Sequence, residues 1–237
     1  MKNYNTLILL IAGQSKRFGG KVKKQFIKVD NKPIFIHTLI NMLKFKFDNI
    51  VLVSSKDEIN NIKSYIEKEN TINNKSKKLM YYIEGGSERV YSVYNAIKYL
   101  NENNIKTDYV FIHDGVRPLV TKKEILSLYN YVLKNDAAIL ASKVTDTIKK
   151  VDDNKNITET IDRTCLYRAA TPQAFNFSKY LIAINKYMDA KNKKLATDDA
   201  EIYSKYSGSV GIIECSSNNI KITNREDLSI FKKLKDI

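Results

Sequence analysis

At 237 residues and 43% apolar composition, the chain has the size of one large α/β unit with a substantial core. The 40 Lys and Arg against 26 Asp and Glu leave a net charge of +14, which draws anionic ligands, yet the lysines are scattered among Asn and Ile as on solvated surfaces, with no aromatic-interleaved stripe to favour a nucleic-acid partner. Two cysteines and two histidines exclude a disulfide framework and poorly supply a zinc centre or a Ser–His triad, and no apolar run approaches the length of a membrane span.

Apolar strand-like runs alternate with amphipathic helical stretches, the pattern of a mostly parallel sheet with crossover helices. The first strand is Thr6–Ala12. No charged-then-apolar secretion signal is seen at the start, so a cytoplasmic location with no membrane partner is expected. A polar loop and a helix near Pro33–Phe45 follow, with His37 inside the helix. Ile50–Ser54 reads as the second strand, Asp57–Glu69 as a helix and Met80–Ile83 as the start of the third strand. Within Ser87–Leu100, Val90, Val93, Ala96, Ile97 and Leu100 recur at spacings of three and four and define a helical face. Tyr109–His113 is the fourth strand, Thr121 and Glu124 form a capping box that opens the next helix, and Ala137–Val144 is a fifth strand. Thr147–Lys150, a polar turn at Asp152–Asn156 and Ile157–Ile161 then form a hairpin too polar to pack by itself. It is either an arm that reaches a partner subunit or a plain surface hairpin. Helices near Ser178–Asp189 and Thr197–Tyr206, a strand near Val210–Cys215 and a helix from Asn224 complete a single domain over 1–237, with the arm at about 144–165. Cys165 and Cys215 both read as small core residues.

Candidate chemistry collects at the carboxyl ends of the strands, where open α/β sheets bind ligands. After the first strand, Gly13 lets the backbone turn its N–H groups toward a phosphate, and Lys16, Arg17, Lys21, Lys23 and Lys24 crowd the same loop. Ser15 breaks a G-x-G-x-x-G pattern, and Val22 after Gly20-Lys21 breaks a Walker A motif, so neither hydride transfer nor a P-loop is supported. After the third strand, Gly85-Gly86 bring backbone close to a ligand, with Arg89 and Ser92 sharing a helix face. After the fourth, His113-Asp114-Gly115-Val116-Arg117-Pro118 supplies a carboxylate for a metal ion or a hydroxyl. Asn219–Thr223 places Lys221 within a short apolar strand, where a buried lysine needs an anion.

Read in order, these pieces form a familiar series: Ala12-Gly13-x-x-x-Arg17, Lys24-Gln25-Phe26, Gly85-Gly86-x-x-Arg89-x-x-Ser92-Val93 and His113-Asp114-x-x-Arg117-Pro118. The series continues through Asp146-Thr147-Ile148-Lys149, Asp162-Arg163, Thr171-Pro172-Gln173-Ala174-Phe175, Thr197-Asp198-Asp199-Ala200 and Asn219-Ile220-Lys221-Ile222-Thr223. Over nearly the whole chain it resembles the 2-C-methyl-D-erythritol 4-phosphate cytidylyltransferases of the non-mevalonate isoprenoid pathway. The resemblance implies a Rossmann-like, mostly parallel sheet flanked by helices, with a protruding β-arm exchanged in a homodimer. It also implies Mg²⁺-dependent transfer of CMP from CTP to the sugar-alcohol phosphate, with release of pyrophosphate. By position, it makes Arg17, Lys24 and Lys221 the catalytic, phosphate-gripping groups. Ala12, Gly13, Gly86, Arg89, Ser92 and Asp114 would hold the nucleotide. Asp114 is also the candidate metal contact, the alternative being a metal held by the triphosphate only. Thr147, Arg163, Thr171 and Thr197 would serve the acceptor, the first two across the dimer interface.

The chain departs from the family at Ser15, Lys23, Gly115-Val116 and Ala170, where glycine, proline, Ala-Ala and glutamine are common. Glu84 and Val116 point to a rival, a ribitol 5-phosphate cytidylyltransferase. Ser92-Val93 and the run Asp146–Lys149 with Asp162-Arg163-Thr164 side with the erythritol branch. A basic nucleic-acid-binding α/β module is the alternative of another class.

Overall fold

The computed structural model describes residues 2–13, 18 and 22–235. Its first strand, β1 (Asn5–Leu10), is followed by a single 3₁₀ turn at Lys24–Phe26 and a two-residue hairpin, β2 (Lys28–Val29) and β3 (Lys32–Pro33). Then come α1 (Ile34–Met42), β4 (Asn49–Ser54), α2 (Ile59–Lys68), a short α3 (Asn74–Lys77) and β5 (Met80–Glu84). The middle of the chain supplies α4 (Arg89–Glu102), β6 (Tyr109–Asp114), α5 (Lys122–Asn135) and β7 (Ala137–Lys143). A ribbon of β8 (Ile148–Val151) and β9 (Ile157–Ile161) precedes β10 (Tyr167–Asn176). The chain ends with α6 (Phe177–Asp189), α7 (Asp199–Tyr206), β11 (Gly211–Glu214) and α8 (Arg225–Leu234).

Seven strands form one sheet in the order β11-β7-β10-β6-β1-β4-β5. All pairings are parallel except those of β10, which runs antiparallel to both β6 and β7. The central strands are continuously apolar because helices cover both faces. Side chains of β1 alternate between the two cores. Leu7 and Leu9 join Phe35, Leu39, Ile62 and Leu128 from α1, α2 and α5, while Ile8 joins Val93, Ile97, Ile184 and Tyr203 from α4, α6 and α7. A third, small cluster of Val29, Ile34, Val116, Ile222 and Phe231 seats α8 beside the strand ends.

The reading by pattern places most elements within a residue or two. The box at Thr121 and Glu124 has both reciprocal hydrogen bonds. β10 is the strand the pattern hides. Pro172 has no N–H for a ladder, so the Thr-Pro-Gln segment reads as a break. In the fold, the β7 pairing shifts register between Ala169 and Gln173, so Thr171 and Pro172 stand out of the ladder at the irregularity.

Two further expectations are corrected. Cys165 is exposed, while Cys215 is partly buried against the larger core. Residues 219–223 form no strand. They are irregular, anchored by the Ile222 N–H donating to the Val116 carbonyl at 2.9 Å and by burial of Ile222. The alternation of Ile220 and Ile222 around Lys221 imitates a strand because one isoleucine anchors the small core. The antiparallel turn-back from β7 to β10 is extended by β8 and β9, which pair with each other and stand clear of the main sheet as an exposed ribbon. Among the described residues, no helix is long and apolar enough to cross a membrane.

Candidate active site

The ends of β1, β5 and β6 open onto one cavity of about 360 Å³, closed on the far side by the Lys24 turn and the segment before α8. Of the sequence-predicted residues, Ala12, Gly13, Lys24, Gly86, Arg89, Ser92, Asp114 and Lys221 all line it. Arg17 lies outside the described residues, as do Lys16 and Lys21. Turns far apart in the chain thus meet at one point, as expected for the carboxyl edge of a parallel sheet.

Close approach of two turns explains the glycine pair. A Cβ on Gly85 would stand 2.9 Å from both the Ala12 Cβ and the Ser92 Oγ. The Ser92 hydroxyl accepts from the Gly86 N–H at 3.1 Å and donates to the Glu88 carbonyl at 3.2 Å. Ser92 therefore holds the turn that presents Gly86 to the cavity.

Asp114, at the last position of β6, is buried among three cations. Its Oδ2 lies 2.9 Å from Lys221 Nζ and 3.6 Å from Arg117 Nε, and its Oδ1 lies 3.5 Å from Arg89 Nε. Burial alone would raise the carboxyl's pKa, but Lys221, Arg89 and Arg117 together outweigh it and hold the group far below the usual carboxylate range. The anion that Lys221 requires is supplied within the protein. Arg117 is held in turn by donating from Nη1 to the Asn219 carbonyl at 2.7 Å. Its spacing of three from Asp114 was the only sequence signal for this role.

Thr171 stands behind Asp114. Its hydroxyl accepts from the Asp114 N–H at 3.1 Å, so its own proton is directed to His113 Nδ1 at 2.9 Å. His113 Nε2 then carries the proton that is donated to the Arg117 carbonyl at 3.1 Å. Burial lowers the His113 pKa to about 4, against the opposing pull of Asp114. The imidazole is neutral and braces the Asp114 turn. The sign of the pH effect follows from a folded-state pKa below the ordinary 6.5. Between about pH 6.5 and 4 the unfolded chain binds the extra proton, so stability falls as the pH falls, by about 3 kcal/mol over the interval. Urea unfolding of His113→Asn across that range is expected to lose this part of the slope; an unchanged slope removes His113 as its source.

Lys24 rests on a braced turn. The Gln25 side-chain amide, 2% exposed, donates to the Ile11 and Gly13 carbonyls at 2.7 and 2.9 Å, tying the turn to the loop after β1. Phe26 packs edge-on against Phe35 and stacks with Tyr65. Lys23 pairs with Glu58 at 3.1 Å and Asp57 at 3.4 Å. Lysine residues 23 and 24 were both legible as basic, but only the fold separates the tether from the cavity-lining group.

The remaining predicted acceptor residues do not line this cavity. Thr147 and Arg163 sit exposed on the arm, and the Thr197 hydroxyl donates to Glu201 at the start of α7. Arg89 differs from the simple expectation of a nucleotide-facing cation. Although it borders the cavity, its guanidinium is committed to Asp114 and, at 2.7 Å, to Asp199. Asp199 carries no sequence signal beyond its place in the Thr197-Asp198-Asp199-Ala200 motif.

Comparison with known proteins gives the same grouping. The family model IspD, described as 2-C-methyl-D-erythritol 4-phosphate cytidylyltransferase, matches residues 6–234. A protein of that name from Bacillus cereus is 38% identical over 227 residues, 95% of each chain. Another, from Fusobacterium nucleatum, is 37% identical and covers 98% of this chain and 97% of its own. The crystal structure of 4-diphosphocytidyl-2C-methyl-D-erythritol synthase from Anaerococcus prevotii superposes with a TM-score of 0.82 at 28% identity, covering 99% of both chains. The chain belongs to the 2-C-methyl-D-erythritol 4-phosphate cytidylyltransferase family.

Proposed function

We propose that this chain catalyses transfer of the cytidylyl group of CTP to the phosphate of 2-C-methyl-D-erythritol 4-phosphate. An acceptor phosphate oxygen attacks the α-phosphorus in line. The new P–O bond forms as the bond to the β-phosphate oxygen breaks, and pyrophosphate leaves. The carrying observation is the convergence of Lys24, Lys221, Asp114 and the Gly86 turn on one cavity at the strand ends, in a chain matched by the family over residues 6–234. The names of the relatives reported above favour erythritol over ribitol as the acceptor alcohol and give no support to a nucleic-acid-binding module.

Little covalent work falls to the protein, so positioning and charge carry the rate. Lys24 and Lys221 offset the charge that gathers on the leaving pyrophosphate, with Arg17 assigned the same duty by the resemblance. Ala12, Gly13 and Gly86 offer backbone to the nucleotide. Among the described residues, no three His, Cys, Asp or Glu side chains cluster as a metal centre, and Asp114 is the one buried carboxylate at the cavity. A lone carboxylate suits Mg²⁺ brought in on the triphosphate, since that ion commonly takes one or two carboxylates plus substrate oxygens and water. Bound there, Mg²⁺ would neutralise phosphate charge, with Asp114 as its protein contact. The Thr171 hydroxyl serves the acceptor indirectly, by fixing Asp114.

The enzyme acts as a cytoplasmic homodimer. Ile148, Val151 and Ile157 on the arm are 36%, 50% and 65% exposed, and an isolated two-stranded ribbon is marginal in water without a surface to pack on. In the dimer each arm brings Thr147 and Arg163 to the other subunit's acceptor. The test follows pyrophosphate release with CTP and Mg²⁺, offering each polyol phosphate in turn, over a dilution series. Turnover is expected with the erythritol acceptor, and specific activity should fall as the dimer dissociates. Preference for ribitol 5-phosphate overturns the acceptor, and full activity as a dilute monomer overturns the shared site.

A further inference from the structure

Behind the cavity wall, on the side away from Lys221, lies a buried row of alternating charge. Asp199, 0% exposed in the first turn of α7, stands 2.7 Å from Arg89 Nη2, and Arg89 Nε stands 3.5 Å from Asp114 Oδ1. The 2.7 Å contact lies off the hydrogen-bonding direction, so it acts mainly through charge. Asp199 is itself held from two sides. Tyr180 OH donates to its Oδ1 at 2.6 Å, and Gln173 Oε1 accepts from the N–H groups of Asp199 and Ala200, each at 3.1 Å. Gln173 also donates to Asp198 Oδ2 at 2.9 Å, so β10 fixes the start of α7.

A partly buried guanidinium needs compensation. Burial works to lower the Arg89 pKa, and Asp199 with Asp114 reverses the effect. If Asp114 were its only carboxylate partner, Arg89 would draw it away from Lys221 and the cavity. A second carboxylate on the far side divides that pull.

We infer that Asp199 is a positioning residue for the transfer reaction: by sharing Arg89 from behind, it keeps the Asp114 carboxylate oriented toward Lys221 and the bound nucleotide. This inference rests on the cytidylyl-transfer reading of the same cavity. Asp199 touches no substrate and acts through Arg89. A displacement of about 1 Å at the reacting centre is enough to cost about 10²-fold in rate, and the loss falls on kcat more than on the KM for CTP.

A double-mutant cycle in the full-length enzyme tests it. Asp199→Asn keeps the shape and removes the charge; kcat is expected to fall by about 10²-fold while the KM for CTP changes much less. In an Arg89→Gln background the same substitution should cost almost nothing further, because the residue through which it acts is gone. Tyr180→Phe loosens the same corner but leaves the carboxylate charged, and should keep most of kcat even where Tm falls. If Asp199→Asn does not fold, Asp199→Glu, which keeps the charge but displaces it against Arg89, enters the same cycle, and its kcat loss is likewise expected to vanish in the Arg89→Gln background. Additive losses with Arg89→Gln, or a kcat loss in Tyr180→Phe equal to that of Asp199→Asn, overturn the inference, because the corner then acts only as structure. Absence of CTP-dependent pyrophosphate release in the unmodified protein instead overturns the functional reading on which it rests.

Discussion

Asp114→Asn is expected to lower kcat by about 10²–10³-fold while leaving metal-free CTP bound at least as tightly as before. The two halves of this outcome have one cause. The carboxylate is the negative centre of a group whose positive members are Arg89, Arg117 and Lys221. Removing its charge makes the cavity more positive, which favours a polyanion. The same change removes the proposed contact to substrate-borne Mg²⁺ and releases Lys221 from its 2.9 Å partner, so the reacting groups lose their arrangement. Stability should fall as well, by about 3 kcal/mol, because buried cations lose their counter-charge. Titration with CTP in the presence of a chelator, steady-state rates with Mg²⁺ and urea unfolding at neutral pH separate the three effects. If kcat survives, Asp114 is a structural counter-ion and its place in the chemistry is withdrawn. Weaker metal-free binding would show instead that the carboxylate holds the ribose or base directly.

What could be read in the sequence follows from where each kind of information is stored. β1, β4, β6 and β7 are apolar runs with turn chemistry at their ends, so both the strands and the loops that bear Gly13, Gly86 and Asp114 are locally encoded. The β8–β9 hairpin was legible for the opposite reason, because its polar face shows that it cannot bury itself. β10 was not legible. Thr171 and Gln173 look like loop residues, yet both are buried, one under Asp114 and His113 and the other under the start of α7. Such polar groups are satisfied only by partners distant in sequence, and no local periodicity carries that information. The same holds for Arg89, whose helical spacing to Ser92 is correct but whose commitment to Asp199 depends on the sheet bringing α4 beside α7. Lys221 was right as a cation that needs an anion, which Asp114 supplies, but it is only partly buried and not in a strand, because Ile222 is fixed by a small cluster outside the main sheet.

Lys24→Ala should lower kcat by about 10²–10³-fold and leave the fold almost unchanged. The turn under Lys24 is pre-ordered, and that decides where the loss falls. A lysine on a loose loop would pay side-chain and backbone ordering each time it met a phosphate, and its loss would be felt mainly in binding. Here Gln25 fastens the turn to the Ile11 and Gly13 carbonyls, Phe26 is plugged into the core beside Phe35, and Lys23 is tethered to Glu58. The backbone under Lys24 is ordered before substrate arrives, so the ammonium can meet charge as it develops on the leaving pyrophosphate. Alanine keeps all three braces, so the turn itself should persist when the ammonium is removed. Rates at saturating CTP and acceptor are the decisive measurement. A loss confined to the KM for CTP makes Lys24 a ground-state phosphate contact, and unchanged turnover at saturation removes it from the catalytic set.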